Sequence, residues 1–424
     1  MPASQKSRQS HAGVTCPFCG LLCDDLVIAS GARGLTVREN GCPLAIAGFG
    51  RAAATDSAAP RISGRPATLP EAAAEAARLL RDARLPLIAG LATDVAGARA
   101  LGRLADRSGA VVDHMNSAAV MRNQLVLQDS GWITTTLSEV RNRADLLLIV
   151  GGDIVSRFPR FFERCLGRGV TLFKKNHQCE VVFLGQEPPA GLSLPGPAPT
   201  VLRCSVERMG EGFGLLRALL GGRPVTAPSA AGLPLARWME LADRMKRARY
   251  GVVAWAAADF DFPHAELTIQ SLCELVKELN AATRFSGLPL AGSDGDLSAD
   301  SVQLWQTGFG GRTSFGQGVP RYDPYQYSAA RLLESGEADL LLWVSSFHAG
   351  RTPPSTAVPT VVLGQPGMAF EREPAAYIPV GTPGIDHAGH LFRTDRVVVL
   401  PLRQLRASGL PSVADAVVAI EAAL

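Results

Sequence analysis

Four cysteines gather near the start of the chain as Cys16-x2-Cys19-x3-Cys23-x18-Cys42. Three thiols on a tight loop, with a fourth returning from a distance, can surround an iron-sulfur cluster or a tetrahedral zinc. Structural zinc sites more often pair their ligands as two CxxC-like knuckles, so the spacing favours iron. Pro43 follows Cys42, as a proline often follows the last cysteine of a cluster motif. The expected occupant is a [4Fe-4S] cluster, with zinc second, and the competing reading is four unligated thiols.

Other residues of chemical interest are less organised. Cys165, Cys179, Cys204 and Cys273 lie scattered in apolar or mixed stretches and read as small hydrophobes. His177 stands two positions before Cys179, and a lone pair without further ligands reads as a loop detail. Asp386, His387 and His390 in "DHAGH" could serve acid-base chemistry, or could simply pack a crevice as a polar loop. The glycine-rich "GGDIV" and "GFGGRTSFGQG" give neither G-x-G-x-x-G at a strand-to-helix turn nor a P-loop lysine, which argues against simple dinucleotide or ATP binding.

The elements that must position these residues follow an α/β rhythm. "DDLVIAS" and "GLTVREN" read as a hairpin around a turn from Gly31 to Gly34. The helical stretch 69–83 is rich in Ala, Leu, Glu and Arg, and the buried strand "LPLIAGL" follows it. Strands then alternate with helices, the signature of parallel sheets built by crossover connections. The pattern runs twice: strand, loop, helix and strand from "PLIAGL" onward recur from "YGVVAW", and "ADLLLIV" before "EVVFLG" recurs as "ADLLLWV" before "PTVVLG". The expected organisation is a flexible N-terminus over 1–13, a cysteine-rich metal unit over 14–60, and two related α/β domains over 61–225 and 226–424. The second boundary falls in the Pro/Gly-rich "GGRPVTAPSAAGLPLA". Such a protein tends to bind ligands at the carboxyl ends of its strands.

Composition narrows the functional classes. The chain has 424 residues, 47% apolar and 19% charged, enough for roughly two or three packed domains. Its 42 basic and 39 acidic residues give a formal charge of +3 with no block of one sign, which argues against a nucleic-acid groove or an anionic-membrane patch. No apolar run approaches the roughly 20 residues of a membrane helix, and the first residues are too polar for a secretory signal. The expectation is a cytoplasmic protein.

Four stretches carry a family resemblance: "CPFCGLLCDD" with "GCPLA"; "LQDSGWITTTLSEVRNRADLLLIVGGDIVSRFPRFFERC"; "LWQTGFGGRTSFGQGVPRYDPYQY"; and "AAYIPVGTPGIDHAGHLFRTD". In these the chain resembles the B subunit of formylmethanofuran dehydrogenase, a relative of the molybdopterin and tungstopterin formate dehydrogenases. The resemblance implies their fold and, in the active members, a metal held by cysteine or selenocysteine in a segment like "SVCHGPS". Counting back twelve residues from Gly131 places Ala119 at that position, with Val120 for the neighbouring histidine and Met121 and Arg122 for the Gly-Pro. An alanine methyl cannot ligate molybdenum or tungsten, a task for a soft thiolate or selenolate.

The degenerate segment resembles the B subunit of the bacterial formyltransferase/hydrolase complex. That resemblance implies a heteromeric complex which moves a formyl group from formyl-tetrahydromethanopterin to a methanofuran-type carrier and hydrolyses it to formate. The chemistry would belong to a formyltransferase subunit and an amidohydrolase-like subunit, since the seven histidines here include no HxH metal pair. The expectation is a non-redox scaffold without pterin, its surviving cluster structural and its old metal crevice filled by side chains. The alternative is an active molybdenum or tungsten formylmethanofuran dehydrogenase subunit.

Overall fold

A computed structural model of the chain describes residues 9–31, 34–51, 58–166, 179–192 and 194–424. In chain order its principal elements begin with β1 (Gln9–Val14), β2 (Leu26–Gly31), β3 (Gly34–Glu39), α1 (Pro43–Phe49), α2 (Leu69–Asp82), β4 (Pro86–Ala92), α3 (Val95–Ser108) and β5 (Val111–Val112). The middle of the chain supplies α4 (Ser117–Asp129), β6 (Leu146–Gly151), β7 (Glu180–Gly185), β8 (Thr200–Arg203), α5 (Met209–Leu220), α6 (Leu235–Arg247), β9 (Gly251–Trp255), α7 (Ala265–Leu279) and β10 (Phe285–Pro289). The last part adds α8 (Asp296–Thr307), β11 (Leu340–Ser345), β12 (Thr360–Gly364), β13 (Ala376–Pro379), β14 (Gly389–Phe392), β15 (Val399–Leu402) and α9 (Val413–Ala423). Among the described residues no helix is long and apolar enough to cross a membrane.

The chain divides into unit 1, residues 1–117 with 292–424, and unit 2, residues 118–291. In unit 1 the order β5-β4-β11-β12-β13 forms an all-parallel run, extended at each edge by short antiparallel strands. Alternate residues serve opposite faces, as a pleated strand requires. Leu340, Leu342 and Val344 meet α2, α3 and α9 on one side, while Leu341 and Trp343 join Tyr377 on the other. Helix α2 begins at a capping box in which Thr68 and Glu71 satisfy each other's backbone donors.

Unit 2 is a five-stranded parallel sheet in the order β10-β9-β6-β7-β8. Its apolar face, with Leu148, Val150 and Val253, packs under Phe213, Trp238 and Ile269 of α5, α6 and α7. The Trp238 indole N–H donates to the Ala230 carbonyl at 3.0 Å, so this buried ring leaves no orphan donor.

The two sheets repeat one another, but not as consecutive halves. "PLIAGLA" (β4) lies beside "LLLWVS" (β11), and "GVVAW" (β9) beside "LLLIVG" (β6), so each sheet takes its β-α-β from one sequence repeat and its paired strands from the other. The units therefore do not follow the boundaries at 60 and 225. The segment "GGRPVTAPSAAGLPLA" is an internal connection of unit 2 between α5 and α6. Apolar runs fix which strands are buried, and leave open which neighbour each one takes.

The N-terminal hairpin forms as expected, Gly31 pairing with Gly34. Residues 9–13, expected to be flexible, belong instead to β1, which pairs antiparallel with β2. Its side chains are mostly exposed and it is held through the backbone, so apolar patterning does not reveal it.

Candidate functional site

The cysteine loop is built by short-range hydrogen bonds. The Cys16 N–H donates to the Cys23 carbonyl at 2.8 Å and the Leu22 N–H to the Cys19 carbonyl at 3.1 Å, with Leu22 in the left-handed region. Cys42 caps α1, whose first residue is Pro43. Phe18 stands edge-on to Phe49 at 5.1 Å, and Gly48 makes room for it, since a Cβ there would sit 2.2 Å from the Phe18 ring. The loop is seated on the rest of unit 1 by the Thr394 N–H, which donates to the Gly20 carbonyl at 2.7 Å. Gly292, at φ +109°, lets the backbone approach Gly20 more closely than any side chain would permit.

Cys16, Cys19 and Cys23 are buried and Cys42 is partly so. Burial pushes the Cys19 thiol up to about 12 and Cys16 well above its ordinary range, and the other three sulfurs push Cys16 further the same way. The four thiols thus share one electrostatic neighbourhood, in which Cys16 and Cys19 hold their protons unless a cation compensates them. A single ion requires its donors within about 2.3 Å of one point, and among the described residues no three of His, Cys, Asp and Glu are placed to hold one. A four-iron cluster seats each thiolate on its own iron and spaces the sulfurs more widely. The soft, buried and mutually repelling donor set fits that group.

Ala119 lies in α4, half-buried against the core of unit 2, with Val120 and Met121 buried beside it. The next two side chains are committed as well. Arg122 donates to the Ala257 carbonyl at 3.1 Å and pairs with Asp261 at 2.5 Å, and the Asn123 side-chain oxygen accepts from the Trp255 indole N–H at 3.0 Å. The segment is a helix packed by its own side chains, with a methyl where the resemblance places a metal ligand.

The carboxyl ends of the strands of unit 1 carry a layer of buried polar groups. After β5 come Asp113 and His114, both buried. The Asn116 N–H donates to His114 Nδ1 at 2.9 Å, which leaves the ring proton on Nε2, facing the Asp294 carbonyl at 3.2 Å. Burial pushes His114 down to about 4. With both nitrogens spent on backbone, the ring is a strut and not a general base.

Asp296, at the start of α8, is pushed up to about 7 by burial, with the neighbouring Asp294 charge acting the same way. Asp294 is itself clamped by Arg351, at 3.0 Å from Nε and 2.5 Å from Nη2. These residues stand singly in the sequence. The cue that could find them is position just beyond a buried strand or a glycine turn.

The "DHAGH" residues do not converge. Asp386 is buried, accepts from the Thr382 N–H at 2.8 Å and pairs with Arg406 at 2.6 Å, while His390 is exposed on β14. The polar-loop reading is the one the geometry supports. Cys273 lies in the core of unit 2 and Cys165 and Cys179 are buried, with Cys204 half-buried. His177 lies outside the described residues.

Fold and site together define a mixed α/β protein whose two largest sheets are built around parallel strands, one in each unit. No protein-family model matches the chain. It is 31% identical over 345 residues to the B subunit of the formyltransferase/hydrolase complex Fhc of Methylorubrum extorquens, covering 80% of this chain and 89% of that one. It is 27% identical over 399 residues to the B subunit of the tungsten-containing formylmethanofuran dehydrogenase 2 of Methanocaldococcus jannaschii, covering 91% and 92%. Among solved structures it matches a chain of the formyltransferase/hydrolase complex FhcABCD from Methylorubrum extorquens in complex with methylofuran. The TM-score is 0.73 at 27% identity, covering 86% of this chain and 98% of that one. The chain belongs to the family formed by the B subunits of formylmethanofuran dehydrogenase and of the formyltransferase/hydrolase complex.

Proposed function

We propose that this chain is a non-redox scaffold subunit of a formyltransferase/hydrolase complex. It would dock and orient a formyltransferase subunit and an amidohydrolase-like hydrolase subunit, which together pass a formyl group from formyl-tetrahydromethanopterin through a methanofuran-type carrier to formate. The observation that carries the reading is Ala119, with Val120, Met121 and Arg122, in a packed helix. A methyl offers molybdenum or tungsten no ligand, and Val120 and Met121 beside it are buried in the helix packing.

On the same reading, Cys16, Cys19, Cys23 and Cys42 hold a [4Fe-4S] cluster. The group would supply four metal-sulfur bonds joining the loop 16–23 to the N-terminus of α1. These residues would thereby fix the N-terminal sheet on the rest of unit 1, and no electron transfer is required of them.

The test is elemental analysis of the purified complex together with viologen-linked formate oxidation. The expected result is neither stoichiometric molybdenum or tungsten nor formate-dependent dye reduction. Either metal bound one per chain, or dye reduction by the isolated chain, overturns the reading.

A further inference from the structure

Helix α8 is buried from Asp296 to Gln303, and then emerges as Leu304, Trp305 and Gln306, an exposed end without one charged side chain. Trp305 is 61% exposed, and its ring stands edge-on to Phe392 of β14 at 5.2 Å. An indole carries one of the largest apolar surfaces a side chain can offer, and in water most of the stabilisation its burial could contribute is lost.

The hairpin of β14 and β15 continues this face. Leu391 and Leu402 enter a core cluster with Leu22, Ala92 and Phe347. The alternate pairs, Phe392 with Val399 and His390 with Pro401, lie on the other side, where Trp305 meets Phe392. Val397, in the connection between the two strands, is 63% exposed. Single exposed apolar residues are ordinary, whereas Leu304, Trp305, Val397, Val399 and Pro401 sit together on one helix end and one hairpin.

The rim of this face carries unpaired positive charge. Arg99 lies beside the last turn of α8, its carbonyl accepting from Gln306 Nε2 at 3.3 Å, and Arg403 follows Pro401 on the outward alternation of β15. Both are exposed, and among the described residues no carboxylate pairs with either. Asp300 of α8 and Asp395 of the hairpin have buried side chains, already paired with Arg396 at 2.9 Å and Arg393 at 2.6 Å.

We propose that this face of unit 1 docks a partner subunit whose surface offers an apolar pocket to Trp305 and carboxylates to Arg99 and Arg403. Tryptophan and arginine are the side chains that most often dominate binding energy, in interfaces with an apolar centre and a polar rim. A second copy of this chain fits poorly, because a two-fold contact would oppose one arginine-bearing rim to another. The proposal rests on the reading of the chain as a complex subunit, and adds which face the partner covers.

The test is co-expression of the tagged full-length chain with the other subunits of its complex, the retained partner then being titrated with native and variant chains. Trp305→Ala should weaken binding by about tenfold or more. Val397→Arg should weaken it as well, and Arg99→Glu combined with Arg403→Glu should lower affinity most at low salt. Differential scanning calorimetry reads whether each isolated variant is folded, and Val397→Arg alters a side chain that lies mostly in water should Trp305→Ala fail to fold. Native affinity in folded Trp305→Ala or Val397→Arg overturns the proposal and leaves the subunit reading standing. A native chain that retains no other subunit overturns both. A dimer of the isolated chain that Trp305→Ala abolishes assigns the face to a second copy and overturns the partner proposed here.

Discussion

His114 and Asp296 shift in opposite directions in the same polar layer, and both shifts arise chiefly from burial of a charge. A histidine lowered from 6.5 to about 4 binds fewer protons folded than unfolded, so its contribution falls as pH drops through that interval. An aspartate raised from 3.8 to about 7 binds more protons folded, so its contribution is present at low pH and lost as pH rises toward 7. The two slopes oppose each other across most of the mildly acid range. Asp296→Asn should therefore expose a stability that rises with pH from about 4 to 6.5, and His114→Gln one that falls from about 4 to 7. Urea denaturation at intervals across that range checks both, and an unchanged profile in either variant would remove the assigned shift. At the cysteines, Cys16→Ser should abolish bound iron and acid-labile sulfide and lower the thermal midpoint, read by metal analysis and differential scanning calorimetry. Iron retained in full would take Cys16 out of the ligand set.

At the scale of elements, α4 decides between a lost metal site and a vacant one. Ala119→Cys restores a thiolate but not the room around it, because Val120 and Met121 are buried and Arg122 and Asn123 are bonded. The variant should bind no molybdenum or tungsten by elemental analysis. Stoichiometric uptake would mean that the crevice survives intact. For α2, Thr68→Ala removes the capping oxygen and should cost about 1 kcal/mol in chemical denaturation. The apolar strands β4, β6, β9 and β11 were all readable in the sequence as buried runs, as was α2 from its composition. Their pairing was not, because an apolar run states that a strand is buried and not beside what. Asp294, Asp296 and Arg351 were illegible for a different reason: they are assembled by tertiary contacts from segments without shared spacing, whereas the cysteines announce themselves by theirs. That Arg122 would close on Asp261 is likewise a fact of the folded chain.

For the whole molecule, the division into units makes a prediction about fragments. Residues 118–291 contain a complete parallel sheet and its covering helices. That fragment should fold alone, giving dispersed amide resonances and a cooperative thermal transition. A chain ending at residue 225 would lose β9 and β10, and β6 would lose its parallel neighbour Gly251–Trp255. The 1–225 fragment should lack a cooperative transition, and cooperative unfolding there would contradict the strand exchange.

The same exchange sets an order of events on the ribosome. Strand β4 is among the first of its sheet to leave the exit tunnel, yet its neighbour β11 begins at Leu340, some 250 residues later. Meanwhile the intervening segment carries everything its own sheet needs and can close while synthesis continues. The emerging apolar run "PLIAGLA" must therefore wait, uncovered on one side, through the translation of an entire domain. At roughly 5–20 residues per second that interval lasts on the order of ten seconds or more, long enough for chaperone engagement to shape the yield of this chain.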